Sequence, residues 1–168
     1  AEIAQSIRYT TDGTVPTESS TAYTAPISVT ATTQIRARIF DPSSANGPIC
    51  AETYIFLTSD IRTFKTNLPI VILENFGGGR PNEEKIMFMG IIVPDELGDG
   101  LAEITDPFHV ATRGTMKVRG SSSSGWPKYS MSIEAWDGAD KDQDIEPLGF
   151  PAESDWVLNS KYQFDRAL

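Results

Sequence analysis

The stretch Met116–Trp136, MKVRGSSSSGWPKYSMSIEAW, decides how the chain is read. Two runs, Thr115–Arg119 and Lys128–Trp136, alternate apolar and polar residues at period two, the signature of strands with one face buried. Between them lie Gly120, the serines Ser121–Ser124 and Gly125, closed by Trp126 and Pro127. Residues of this kind mark a connection, so the stretch reads as a hairpin. The loop sets hydroxyls and backbone donors between two cations, Arg119 and Lys128. Such a group beside a point-charge lysine suits a phosphate. Spacing alone leaves two readings open, an ordinary surface hairpin with a Ser-Gly tip, the commoner case, and a phosphate-holding loop.

The chain of 168 residues suits one domain or two small ones, and 39% hydrophobic with 10% aromatic residues suffices for a packed core. The formal net charge of −9, with no long run of Lys or Arg, argues against a nucleic-acid partner. Cys50 is the one cysteine, so no internal disulfide can form, and its place in the apolar run Ile49–Leu57 suggests a small buried residue. His109, the one histidine, suggests neither a His-rich metal site nor a hydrolase triad. The longest apolar run, Leu68–Leu73, contains Pro69 and is too short to span a bilayer. The first residues, Ala-Glu, show no initiator Met or signal sequence, which suggests processing or a piece of something longer.

Residues 7–57 read as short strands. Ser6–Thr10 leads into the Asp12-Gly13 turn, and Pro26–Ala31 and Gln34–Phe40 follow. Ala51–Leu57 closes the series after turns at Asp41-Pro42 and Asn46-Gly47-Pro48. In the third run Ile35, Ala37 and Ile39 alternate against Arg36 and Arg38. Many short strands with regular turns point to a β-sandwich. The residues that carry a family likeness are Tyr9–Thr17 (YTTDGTVPT), Tyr23–Ile27 (YTAPI) and Ile35–Ala37. With them the segment resembles the chitobiase/β-hexosaminidase C-terminal-like domain, an Ig-like β-sandwich module appended to secreted bacterial enzymes and surface proteins. That family has a further strand before its Tyr-Thr run, and only six residues precede Ile7, so the module reads as N-terminally incomplete. Thr11 and Asp12 as ligand contacts, and Tyr9 and Tyr23 as sugar-stacking rings, compete with turn chemistry and half-buried packing.

Residues 58–67 are polar and aperiodic and read as a linker. From Leu68 the run LPIVILENF suggests a central strand covered on both faces. The glycines Gly77–Gly79 that follow lack both the Gly-Lys-Ser/Thr ending and the G-x-G-x-x-G spacing of nucleotide loops, and read as a turn. Lys85–Val93 is the next strand, residues 94–100 an acidic loop, and Phe108–Ala111 a short strand.

Arg119–Ser123, Trp126–Lys128, Leu148–Leu158 and Asp165–Arg166 carry a second likeness in a fixed order. They make the stretch from Leu68 onward similar to the CotH kinase family, secreted or spore-coat bacterial proteins with an atypical kinase-like fold. By that resemblance Lys128 meets the phosphates of ATP, and Arg119, Ser121, Ser122 and Ser123 lie near the nucleotide, with Mg or Mn as the ion. Ser121 stands where the family has Asn, and Tyr129 where it often has a second Lys. Trp156 is implied to pack into the sheet, and Tyr162–Leu168 to open a helix containing Asp165. The family's catalytic and metal-holding aspartates fall beyond Leu168. Phosphoryl transfer needs such groups, so no catalytic residue and no metal ligand is assigned within these residues.

The acidic run holding Asp137, Asp140, Asp142 and Asp144 lacks the Gly and Glu of a calcium-binding EF-hand loop, and reads as a solvated hairpin loop. The fold class expected is mainly β: an Ig-like β-sandwich at 1–57, a linker at 58–67, and a β-sheet-rich partial kinase-like lobe at 68–168 with a helix beginning at its end. The function expected is that of a piece of an extracellular or cell-surface bacterial protein whose parent phosphorylates extracellular proteins with ATP, this piece being structural and nucleotide-facing. The alternative is a non-enzymatic adhesion, carbohydrate-binding or extracellular assembly module. The expected partners are the remaining lobe or further domains, a second copy, or a carbohydrate, with no nucleic acid and no membrane span.

Overall fold

A computed structural model describes residues 5–95, 97–121 and 123–160. The fold is mainly β, built of antiparallel sheets with two short 3-10 turns and no α-helix among the described residues. The chain folds as two compact units, Ala1–Ser59 and Asp60–Leu168. No helix among the described residues is long and apolar enough to cross a membrane. The helix expected over Tyr162–Leu168, with Asp165 and Arg166, lies outside the described residues.

In the first unit β1 (Ser6–Thr10), β2 (Thr21–Ala22), β3 (Thr33–Phe40) and β4 (Ile49–Tyr54) form one sheet in the order β2-β1-β3-β4. The expected strand at Pro26–Ala31 is instead an extended connection. Pro26, Ile27 and Val29 line a groove with Ile35, Ala37 and Cys50 on one face of the sheet and do not join its ladder, and Pro26 has no N–H to pair. The last strand runs from Ile49 to Tyr54, earlier than the expected Ala51–Leu57, because its register is set by Arg38↔Ile49 through Thr33↔Tyr54.

Alternation along β3 separates two faces, and the polar one is the more deeply buried. Gln34 and Arg36 are 1% and 0% exposed, whereas Ile39 is 42% exposed. The reason lies in the loop after β1. Gly13 and Pro16 are buried, and Arg36 Nη1 and Arg8 Nη1 donate to the carbonyls of Gly13 (3.0 Å) and Ser20 (3.1 Å). A loop so tied supplies acceptors to a face that would otherwise strand its charges. Asp12 shapes the same loop by accepting from the Thr14 N–H (3.1 Å) and hydroxyl (2.7 Å).

In the second unit β6 (Ile70–Glu74), β7 (Lys85–Ile92), β9 (Val110–Val118), β10 (Met131–Trp136) and β11 (Asp155–Leu158) form a five-stranded sheet in the order β11-β10-β9-β7-β6. A small ladder joins β5 (Lys65–Thr66) to β8 (Ala102–Glu103), held by a Lys65–Glu103 ion pair at 2.6 Å. The expectation for LPIVILENF needs correction, since β6 is an edge strand with Val71 43% exposed, and Leu68 just ahead of it is 65% exposed. A continuous apolar run reports hydrophobicity and not position, and it is β7, with both neighbours paired, that is buried on both faces. Phe108–Ala111 is the approach and start of β9, which runs unbroken through Val118.

Met87, Met89 and Ile91 of β7, Met116 of β9, Ile133 and Ala135 of β10, and Ile145 from the β10–β11 connection form the core of one face. Trp156 and Leu158 pack against it, and Trp156 Nε1 donates to the Glu153 carbonyl at 2.8 Å. Three flexible, unbranched methionines fill the gap between a strand layer and an irregular connection, where branched side chains would leave voids. On the opposite face Phe108 lies over Gly90 and meets Phe88 edge to face at 5.4 Å. A Cβ on Gly90 would collide with the Phe108 ring.

The acidic connection is more than a solvated loop. Asp140 pairs with Arg113, whose side chain is 5% exposed and lies 5.6 Å from the Trp136 ring. Asp137 accepts from the N–H groups of Ala139 (2.7 Å) and Lys141 (3.0 Å), folding the turn that presents Asp140 at a positive φ of 62°. Among the described residues no group of three potential metal ligands converges.

Candidate functional site

The serine loop joins β9 to β10 and begins where their pairing ends, at Val118↔Met131. The second strand therefore starts at Met131 and not at Lys128, as alternation suggested. Pro127 has no N–H to give the ladder, and residues 126–128 bend instead. Arg119 is the first residue beyond β9, exposed, with its N–H donating to the Ser130 carbonyl at 2.9 Å. Ser121 is exposed, and its carbonyl accepts from the Ser124 hydroxyl at 2.8 Å. Ser123 opens the 3-10 turn Ser123–Gly125, and Ser122 lies outside the described residues. Lys128 is exposed in the bend that follows.

Arg119 and Gly120 line an open cavity of about 510 Å³ with Ser130, Val157 and Asn159. Two sequence blocks, 119–130 and 155–159, thus meet at one end of the sheet. Pairing of β10 with β11 brings them together through Met131↔Leu158. Ser130 ties the junction, its hydroxyl donating to Asn159 Oδ1 (3.2 Å) and accepting from the Ser160 N–H (3.0 Å). Among the described residues the lining carries one guanidinium, a hydroxyl and an amide, and no carboxylate. Cationic and neutral donors of this kind suit an anion. Of the residues proposed from sequence, Arg119 lines this cavity; Lys128 and Ser121 do not.

Sequence reasoning passed over Arg80. The turn between β6 and β7 carries positive φ at Phe76, Gly77 and Gly79, and Asn75 Nδ2 donates to the Gly79 carbonyl at 2.6 Å. The folded turn delivers the Arg80 guanidinium 3.9 Å from the centre of the Tyr129 ring and onto the Ser124 carbonyl. Val118 N–H also donates to the Pro81 carbonyl at 2.8 Å. The glycine turn and the serine loop are one locked structure. A cation immediately after a glycine run was the available signal. Ser130 and Asn159 had none, because each is an ordinary polar residue at a strand end until the pairing register is known.

The first unit holds a second concavity. A groove of about 530 Å³ lies on the less buried face of its sheet, lined by Tyr23, Pro26, Ile27, Val29, Ile35, Ala37, Cys50, Glu52 and Tyr54. Cys50 is exposed here, contrary to the expectation from its apolar surroundings, because strand alternation turns it outward opposite Ala37. Tyr9 is half-buried and meets the more exposed Tyr23 edge to face at 6.5 Å. Asp12 serves its own turn, held below the usual carboxylate range by the Thr14 hydroxyl and then the Thr14 N–H.

Residues 1–50 match the family model of the chitobiase/beta-hexosaminidase C-terminal domain. No curated protein and no solved structure matches the chain.

Proposed function

We propose that the second unit is the nucleotide-facing part of a kinase-like protein of the CotH type, an extracellular bacterial protein that uses ATP to phosphorylate extracellular protein substrates. The observation that carries the reading is the meeting of the 119–130 and 155–159 blocks around one cavity whose described lining residues carry a guanidinium and no carboxylate. Arg119, Ser130 and Asn159 would hold phosphate oxygens, and by the family likeness Lys128, Ser121, Ser122 and Ser123 would lie near the nucleotide. A bound Mg or Mn ion supplies neutralisation of the phosphate charge. No carboxylate to hold it stands among the described lining residues, so nucleotide binding, and not turnover, is the function proposed for this unit.

Calorimetric titration of ATP with Mg into the chain tests the reading. Binding is expected, with Arg119→Ala and Lys128→Ala each weakening it about tenfold or more, as expected for loss of a charge-assisted contact. Absence of heat, or binding that both variants leave intact, contradicts it.

The second reading, a non-enzymatic extracellular adhesion or assembly module, draws on the match over residues 1–50 and on the exposed apolar groove of the first unit. It requires no nucleotide, and the same titration separates the two.

A further inference from the structure

The groove of the first unit has an apolar floor, aromatic ends and a carboxylate, and we infer that it is a carbohydrate-binding cleft for a pyranose chain. The floor is shallowest in side-chain bulk where Ala37 and Cys50 lie directly opposite each other, with Glu52 opposite Ile35 one step along the same face. Tyr23 and Tyr54 line the groove and remain 45% and 48% exposed. One wall is the connection Tyr23–Ala31, pinned at both ends: Tyr23 N–H donates to the Ile7 carbonyl (2.8 Å), and the Thr33 hydroxyl to the Ala31 carbonyl (2.8 Å). The Thr32 hydroxyl beside it accepts from the Phe56 N–H at 3.0 Å. The wall is thereby fixed before any ligand arrives, which lowers the entropic cost of binding.

Glu52 decides between occupants. Among the described residues its carboxylate has no hydrogen-bond or ion-pair partner. An apolar sheet from a second copy, laid flat on this face, would bury that charge without compensation, which disfavours it. A sugar instead presents hydroxyl donors to the carboxylate and C–H faces to the tyrosine rings, so each group in the groove gains a partner. The volume of about 530 Å³ falls in the size range of small-ligand clefts. The inference deepens the module reading and uses none of the nucleotide chemistry, so loss of nucleotide binding leaves it standing. Glu52 and Tyr54 lie outside the 1–50 segment that matches the family model.

The test titrates cello-, chito-, manno- and xylopentaose into the whole chain, followed by calorimetry and by sedimentation of the chain alone. At least one sugar is expected to bind. Tyr54→Ala is expected to weaken that binding about tenfold, Tyr54→Phe to retain it, and Glu52→Gln to weaken it several-fold without loss of fold. Arg119→Ala is expected to leave sugar binding unchanged, which separates this site from the nucleotide reading. Failure of all four sugars to bind overturns the proposal, as does binding indifferent to Tyr54→Ala and Glu52→Gln. Self-association abolished by Tyr54→Ala, without sugar binding, overturns it in favour of a second copy on this face.

Discussion

Gly114 sits in β9 directly opposite Ala135, and a Cβ there would fall inside the Glu134 carbonyl oxygen of the neighbouring strand. Backbone on a paired strand cannot step aside as a side chain can, so Gly114→Ala is expected to destabilise the second unit by about 3 kcal/mol, read from chemical denaturation. Next to it, Arg113 is buried by its pairing with Asp140 and its contact with Trp136. Asp140→Ala leaves a buried guanidinium short of its carboxylate. A loss of about 3 kcal/mol is expected, at the low end for a broken buried pair because Asp140 itself is 30% exposed. A melt unchanged by Asp140→Ala would show the pair to be dispensable.

At the scale of elements, turns are held by single side chains. Asp137 is held below the usual carboxylate range by the N–H groups of Lys141 and then Ala139. A folded value below the unfolded one means its stabilisation is fully present above the ordinary Asp range, near pH 4, and is lost as pH falls through the depressed folded value. The difference in melting temperature between the wild type and Asp137→Asn should therefore be constant above about pH 5 and shrink in acid. A difference that does not change with pH would assign the effect to shape alone. The lock between the glycine turn and the serine loop rests on Arg80. Arg80→Ala should raise amide exchange across residues 119–130 while leaving β7 and β9 protected, a pattern that hydrogen-exchange mass spectrometry resolves.

How far these elements were legible in the sequence follows from what each depends on. The alternation around the serine loop located β9 and β10, because a half-buried strand writes its period into its residues. It misplaced the start of β10 by three residues, since Lys128 continues the pattern although Pro127 has already ended the ladder. LPIVILENF reads as central because its residues are apolar, but edge or centre is a property of strand order, which local residues do not encode. Cys50 went against expectation because alternation sets it beside Ala37, on the face that the loop after β1 leaves open, and which face a loop covers is not encoded by local residues. The candidate site shows the same division. Arg119 was visible as a cation beside a serine-rich loop, whereas Ser130 and Asn159 became site residues only through the register of β10 with β11.

At the scale of the molecule, each β unit carries a concavity among its described residues, and the two differ in chemistry. The cavity at Arg119 is lined by donors and suits an anion, while the groove at Tyr23 and Tyr54 is apolar and bears one carboxylate. The proposed nucleotide site is the first of these. The most direct measurement is an amide-resolved NMR titration of the whole chain with ATP and Mg. Shifts are expected to concentrate at Arg119, Gly120, Ser130 and Asn159 and in the adjoining serine loop, with residues 5–59 unmoved. Absence of shifts, or shifts centred elsewhere than this cavity, would contradict the proposal.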